Sequence, residues 1–374
     1  MAERFIPIYQ PDLTGKEREY VLACLDSTWI SSKGAFIAQF EQAFANYVDT
    51  PHATTVSNGT VAIHLALMAL GIGPGDEVIV PTLTYIASAN AVTYTGATPV
   101  FVDSDPGDWQ ISPDDIRAKI TPRTKAIMPV HLYGAPCDMD AIGAIAAEYG
   151  LFVVEDCAEA LGTFYKGRHV GTFGDISSFS FFGNKTITTG EGGMVVTRDP
   201  ELARRAIHLK GQGLAPSRQY WHDVVGYNYR MTNICAAIGL AQLERIGTFI
   251  DGKRRAAERY ARGLEGLPVT LQPELPGTCH SYWMIAAMLD DAADRDPLRA
   301  WLDERGIETR PVFYPVHTMP MYQRVGERHP VAEELGARGI NVPSWPGLTE
   351  ADVARVCATV RGYYRAKADQ GRAA

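Results

Sequence analysis

Lys185 closes the run Phe179-Ser180-Phe181-Phe182-Gly183-Asn184-Lys185, and Thr189-Gly190-Glu191-Gly192-Gly193 follows shortly after. A lysine behind an apolar strand, among turn residues, loses water; that lowers an amine's pKa and makes it nucleophilic. Upstream, Val153-Val154-Glu155-Asp156-Cys157-Ala158-Glu159 places an acid at the end of a second apolar run. A buried carboxylate needs a cationic partner, and a protonated pyridine would be one. Together the lysine and the acid point to pyridoxal phosphate (PLP) chemistry. Lys185 would hold the cofactor as a Schiff base, and Asp156 would keep its ring nitrogen protonated. Taken singly, Lys185 reads equally as a surface lysine at a strand end, and Asp156 as the cap of a following helix.

A third piece is Ser57-Asn58-Gly59-Thr60, ahead of a helix expected from Val61. Free amides at a helix start, beside a glycine and hydroxyls, form a phosphate cradle; the plain alternative is an N-cap. Ser180 is either a packed hydroxyl or a phosphate ligand. Tyr85 is either core or a ring stacked on a flat cofactor, and Glu159 is a solvated helix residue or a neighbour of the cofactor's phenolic oxygen. The nine histidines show no metal-ligand spacing, so no metal is expected. His64 reads as packing, and His131 and His317 as packing or as residues near a cleft. Gly211-Gln212-Gly213 lacks the preceding strand that a dinucleotide site needs.

These residues need a scaffold. From about residue 52 to 200, short apolar runs alternate with helical patterns. Strands are expected at Glu77–Pro81, Pro99–Asp103, Ala126–His131, Phe152–Asp156, Ser177–Phe182 and Met194–Thr197. Helices are expected at Val61–Leu70, Ile86–Tyr94, Pro113–Lys119 and Met139–Glu148. The alternation predicts an α/β fold with a mostly parallel sheet covered on both faces, whose ligands lie at the carboxyl ends of the strands. Later the texture changes. Helices are expected at Asp251–Leu264, Asp296–Arg305 and Thr349–Tyr364, the last capped by Thr349, with a strand at Tyr282–Met288. The expected division is 1–250, an N-terminal segment and large domain, and 251–374, a small C-terminal α/β domain that the N-terminal segment could join. The Ala/Arg-rich end from Arg365 is expected to fray.

With 374 residues, 46% hydrophobic and 21% charged, the chain reads as globular. A net charge of -8 argues against a nucleic-acid surface. The six scattered cysteines form no Cys-x-x-Cys pair, so neither a disulfide framework nor a zinc ribbon is expected. No signal pattern and no apolar run approaching ~20 residues is seen, which makes a cytoplasmic enzyme the expectation.

The ordered set Ser57–Thr60, Gly73–Pro81, Glu155–Glu159, Ser178–Phe181, Lys185, Gly190–Gly193 and Gly226-Tyr-Asn-Tyr-Arg-Met231 resembles the DegT/DnrJ/EryC1/StrS sugar aminotransferases, from about Ile6 to the C-terminal helix. The resemblance implies the type I PLP-dependent (aspartate aminotransferase-like) fold. It implies that Lys185 links to the cofactor, Asp156 holds the pyridine nitrogen, and Glu159, a glutamine in many relatives, lies near the ring hydroxyl. It also implies that Gly59, Thr60 and Ser180 hold the phosphate and that Tyr85 covers the ring. Asn228 would reach the phosphate of the neighbouring subunit's cofactor, which implies a homodimer with shared sites, and Arg230 would meet the amino donor's carboxylate. Asn233 and Cys235 depart from the acid and glutamine common after this motif, read here as variation at a subunit interface. Relatives with histidine in place of the lysine dehydrate sugars, so Lys185 implies transamination.

Within the family, Tyr85–Val92, Trp109-Gln110 and Arg310-Pro-Val-Phe-Tyr-Pro315 look most like enzymes that aminate C4 of GDP-4-keto-6-deoxy-D-mannose with glutamate. Relatives acting on UDP- or dTDP-linked ketosugars share the catalytic motifs. A regulatory protein that binds PLP and a nucleotide sugar without turnover is the alternative from another class.

Overall fold

The computed structural model describes residues 4–373. Its large sheet has seven strands in the order His52–Val56, Gly193–Thr197, Ile176–Ser180, Phe152–Asp156, Thr124–Ile127, Glu77–Pro81 and Thr98–Val102. Gly193–Thr197 runs against its two neighbours, and the pairs from Ile176–Ser180 to Thr98–Val102 are parallel. Alternation along the strands fills two cores. Ile79, Ile127 and Val153 pack with Phe40, Phe44 and Ile142 on one face. Val78, Val80, Ala126 and Val154 pack with Leu65, Ala66 and Ala89 on the other.

The expected strands Glu77–Pro81 and Phe152–Asp156 and the helix Pro113–Lys119 have the observed bounds. Ala126–His131 was expected to run longer than the observed Thr124–Ile127. Pro129 has no amide to donate, so the ladder lapses there and resumes only as a bridge between Val130 and Asp156. His52–Val56, an edge strand with only two apolar residues, has too weak an alternation to be read in advance. The last helix runs Glu350–Ala373, past the point of expected fraying. Thr349 caps it: the Asp352 amide donates to Thr349 Oγ1 (3.1 Å) and the Thr349 amide to Asp352 Oδ2 (3.2 Å), a reciprocal box.

A second, antiparallel sheet has the order Val269–Leu271, Ile285–Leu289, Gly339–Val342, Arg310–Pro311. Its core also takes in Ile6, whose amide donates to Gly306 O at 2.8 Å. The helix Ile246–Leu264 crosses residue 250 and packs Ile246, Phe249 and Ile250 into a core of the first sheet and Ala256, Tyr260 and Leu264 into that of the second. No helix among the described residues is long and apolar enough to cross a membrane.

Candidate active site

A cavity of about 610 Å³ opens at the carboxyl ends of the parallel strands, where such sheets carry ligands. Asp156 ends its strand there and is buried. Its Oδ2 accepts from Ser88 Oγ (2.7 Å) and its Oδ1 from the Ala158 amide (3.0 Å). The preceding Glu155 is buried elsewhere. It accepts from the amides of Gly171, Phe173 and Gly174, each at 2.7 Å, and meets His131 Nε2 at 3.1 Å. Burial alone would raise its pKa; His131 and the amides of Gly174 and Gly171 overcome this and hold it below the usual carboxylate value.

His131, Glu155 and Cys157 bring three potential metal ligands within 4.8 Å of one another. The histidine and the carboxylate are already engaged, however. His131 Nδ1 accepts the Cys137 amide (3.1 Å), the Glu155 oxygens take four donors, and burial, followed by the charge of Glu155, pushes the Cys157 thiol well up. The cluster is a hydrogen-bonded brace rather than a ligand set.

Lys185 lies in the turn after Ile176–Ser180, its amide donating to Phe182 O at 2.9 Å. Phe179 and Phe181 bury into one core; at roughly 2 kcal/mol each they turn the intervening Ser180 to the cavity. Lys185 Nζ stands 3.7 Å from Glu159 Oε1 and 3.7 Å from the centroid of the Trp283 ring. Burial drives the amine's pKa down, against the charges of Glu159 and Asp156. Burial likewise drives the Glu159 carboxyl up, opposed by Lys185 and by the Tyr133 amide, which donates to it at 2.8 Å. Two carbonyls of the turn are held by side chains from distant segments. Trp283 Nε1 donates to Asn184 O (2.7 Å), and the Tyr9 hydroxyl donates to Lys185 O.

At the cradle, Asn58 rather than Ser57 is the cap. Its Oδ1 accepts the Val61 amide (3.0 Å), and the first intrahelical bond is Ala62 N–H to Asn58 O (3.2 Å). The amides of Gly59 and Thr60 precede that bond, at a helix start that lines the cavity. Gly59 must be glycine: a Cβ there would lie 2.6 Å from Ser180 Cβ and 2.8 Å from Ser180 Oγ. This donor set, with an acid and a lysine on the same wall, fits a phosphate-bearing pyridine aldehyde. Tyr85 also lines the cavity, with its ring 5.7 Å from that of Phe313.

Four expected residues lie outside this wall. The Ser57 amide donates to Tyr229 O (2.8 Å). Asn228 and Arg230 are exposed, with Arg230 Nη2 donating to Asn228 Oδ1 (3.2 Å). His317 is buried between Thr82 Oγ1 (2.6 Å) and Glu333 Oε1 (3.2 Å). Asn233 needs a correction. It is 2% exposed within the single chain, so it is not a surface residue at a subunit contact. Its side chain donates to Trp29 O (2.7 Å) and accepts from the Phe36 amide (3.0 Å), pinning residues 29–36.

Sequence reasoning missed Ser88, Tyr133, Trp283, Asn341 and, as a site residue, Arg310. Among the described lining residues Arg310 is the one arginine and Lys185 the one lysine. The signal for Arg310 was its place in the Arg310–Pro315 stretch.

Residues 11–361 match the DegT/DnrJ/EryC1/StrS aminotransferase family. A GDP-perosamine synthase of Escherichia coli O157:H7 is 62% identical over 364 residues, 97% of this chain and 100% of that protein. One from Vibrio cholerae is 51% identical over 363 residues, 96% and 99% of the two chains. DesV of S. venezuelae, solved in complex with a ketimine intermediate, superimposes with a TM-score of 0.88 at 38% identity, over 93% of this chain and 94% of that one.

Proposed function

The chain belongs to the DegT/DnrJ/EryC1/StrS aminotransferase family, and on that footing we propose that it is a PLP-dependent aminotransferase that converts GDP-4-keto-6-deoxy-D-mannose to GDP-perosamine, with glutamate as donor. The observation that carries the reaction is Lys185 Nζ in the cavity beside Glu159, since an amine is what transamination needs there. The substrate rests on the 62% and 51% identity to GDP-perosamine synthases over nearly the whole chain.

Bound PLP supplies an electron sink for the negative charge that develops at the donor's α-carbon. Asp156 would pair with the ring nitrogen, held in direction by Ser88 and the Ala158 amide. Gly59, Thr60 and Ser180 would bind the phosphate, Tyr85 would cover the ring, and Glu159 would adjoin its hydroxyl. Lys185 Nζ would carry the cofactor covalently. Once released, it would take a proton from the donor's α-carbon and later return one to the sugar carbon that receives nitrogen. Burial, which lowers the pKa of its amine, favours the neutral form that can accept a proton. Arg310, at the cavity wall, would meet a carboxylate or phosphate of the substrates. The exposed Asn228 and Arg230 would complete the site of a second copy in a homodimer.

The test is incubation with glutamate and a panel of GDP-, UDP- and dTDP-4-ketosugars, with products identified by mass. Amination of the GDP sugar is the expected result. Amination of a UDP or dTDP sugar alone overturns the substrate, and no amination of any overturns the reaction.

A further inference from the structure

Lys253, on the helix Ile246–Leu264, is 0% exposed and does not line the cavity. No carboxylate pairs with it among the described residues. Its Nζ donates to the main-chain oxygens of Trp283 (3.1 Å) and Ser344 (3.2 Å) and stands 5.0 Å from the centroid of the Tyr9 ring. Burial without a counter-charge pushes its pKa down to about 7. A methionine of similar length would fill the volume without desolvating an ammonium, so packing does not account for a lysine at this position. An amine can do what an apolar side chain cannot: bind two carbonyls from separate segments at once.

Both segments lead to Lys185. Trp283, held through its carbonyl, donates from its indole to Asn184 O (2.7 Å) and lays its ring 3.7 Å from Lys185 Nζ. Ser344, held through its carbonyl, donates its amide to Ile8 O (3.0 Å). The next residue, Tyr9, rests its ring near Lys253 and donates its hydroxyl to Lys185 O. The consecutive carbonyls of residues 184 and 185 therefore each accept from a side chain that bears on one buried amine. We propose that Lys253 is a positioning residue which, through Trp283 and Tyr9, fixes the Asn184–Lys185 turn and so the direction of Lys185 Nζ. This rests on the reading of Lys185 given above.

The test is Lys253→Met. In the holoenzyme kcat should fall about tenfold while KM for both substrates stays within about twofold, the signature of an interaction that matters in the transition state rather than in binding. In the apoprotein, amide hydrogen exchange in a peptide covering residues 182–186 should accelerate by about tenfold, while a peptide covering 77–81 stays as in the wild type. Wild-type kcat or wild-type exchange at 182–186 overturns the proposal. The exchange measurement needs neither cofactor nor substrate, so it separates this proposal from the reaction itself, which fails on the sugar panel. If Lys253→Met does not fold, Trp283→Phe and Tyr9→Phe remove the two relays singly. Each should speed exchange at 182–186, and unchanged exchange in both overturns the proposal.

Discussion

The Ser88 hydroxyl donates to Asp156 Oδ2 at 2.7 Å, so a residue 68 positions upstream sets the direction of the acid in the cavity. The Ala158 amide holds the other oxygen, and a carboxylate with both oxygens held cannot swing away from a ring nitrogen. Ser88→Ala should keep bound PLP and lose roughly tenfold in kcat, the usual size of such supporting contacts. An unchanged kcat would mean that the Ala158 amide orients Asp156 unaided.

Lys185→Ala removes both the covalent anchor and the proton carrier. PLP should still bind non-covalently in the cradle, and turnover should fall by roughly 10³-fold or more. Measured by product formation and by the visible absorption of lysine-linked cofactor, full activity in this variant would sink the mechanism.

Gly59→Ala places a methyl 2.6 Å from Ser180 Cβ. Moving two backbone segments apart costs about 1–3 kcal/mol, and the separation falls where the phosphate would sit. PLP affinity should drop by roughly tenfold or more, read by titrating apoprotein with PLP. Wild-type affinity would place the phosphate elsewhere.

Arg310→Ala takes a fixed positive charge from the cavity wall. A charge-assisted hydrogen bond is worth about 1.5–3 kcal/mol, so KM for one substrate should rise at least roughly tenfold. A rise for glutamate assigns Arg310 to the donor carboxylate, and a rise for the nucleotide sugar assigns it to the diphosphate. If neither moves, Arg310 binds no substrate.

Acid should weaken the fold through two histidines buried in neutral form. His169 accepts the Gly162 amide on Nε2 (2.9 Å), and His280 accepts the Tyr282 amide on Nδ1 (2.8 Å). Burial lowers His169 to about 4, and burial with Arg254 nearby lowers His280 to about 3. Below a pH of about 6.5 the unfolded chain takes protons that the folded chain refuses. The stabilisation is therefore complete above that pH and is lost as pH falls toward the folded values, on the order of 3 kcal/mol for His169 and about 5 kcal/mol for His280. Denaturant midpoints should fall from about pH 7 to about pH 5; a flat profile contradicts the burial of both rings in neutral form.

What the sequence made legible was local. Lys185, Asp156 and Gly59 each end or begin an element, and strand, turn and glycine patterns mark such positions. Ser88, Trp283 and Arg310 reach the same cavity from other elements, and a hydroxyl, an indole or a guanidinium carries no local sign of which distant atom it will meet. Asn233 shows the opposite error. Its departure from the family pattern was visible, but its meaning was not, because its partners Trp29 and Phe36 lie about two hundred residues away. The strand ends were misjudged where a single residue such as Pro129 overrides a favourable run.

Glu155 and Asp156 are neighbours in the chain with opposite duties: one is sealed by three amides and a histidine, the other faces the cavity. A strand assigns its side chains by parity, so a slip of one residue would turn each to the opposite face. Slipped one way, the sealed acid would stand in the reaction chamber; slipped the other way, the working acid would stand among donors shaped for a longer side chain. A one-residue insertion or deletion in Phe152–Asp156 should therefore abolish the chemistry even where the sheet still closes, whereas the same change in an exposed loop should be tolerated.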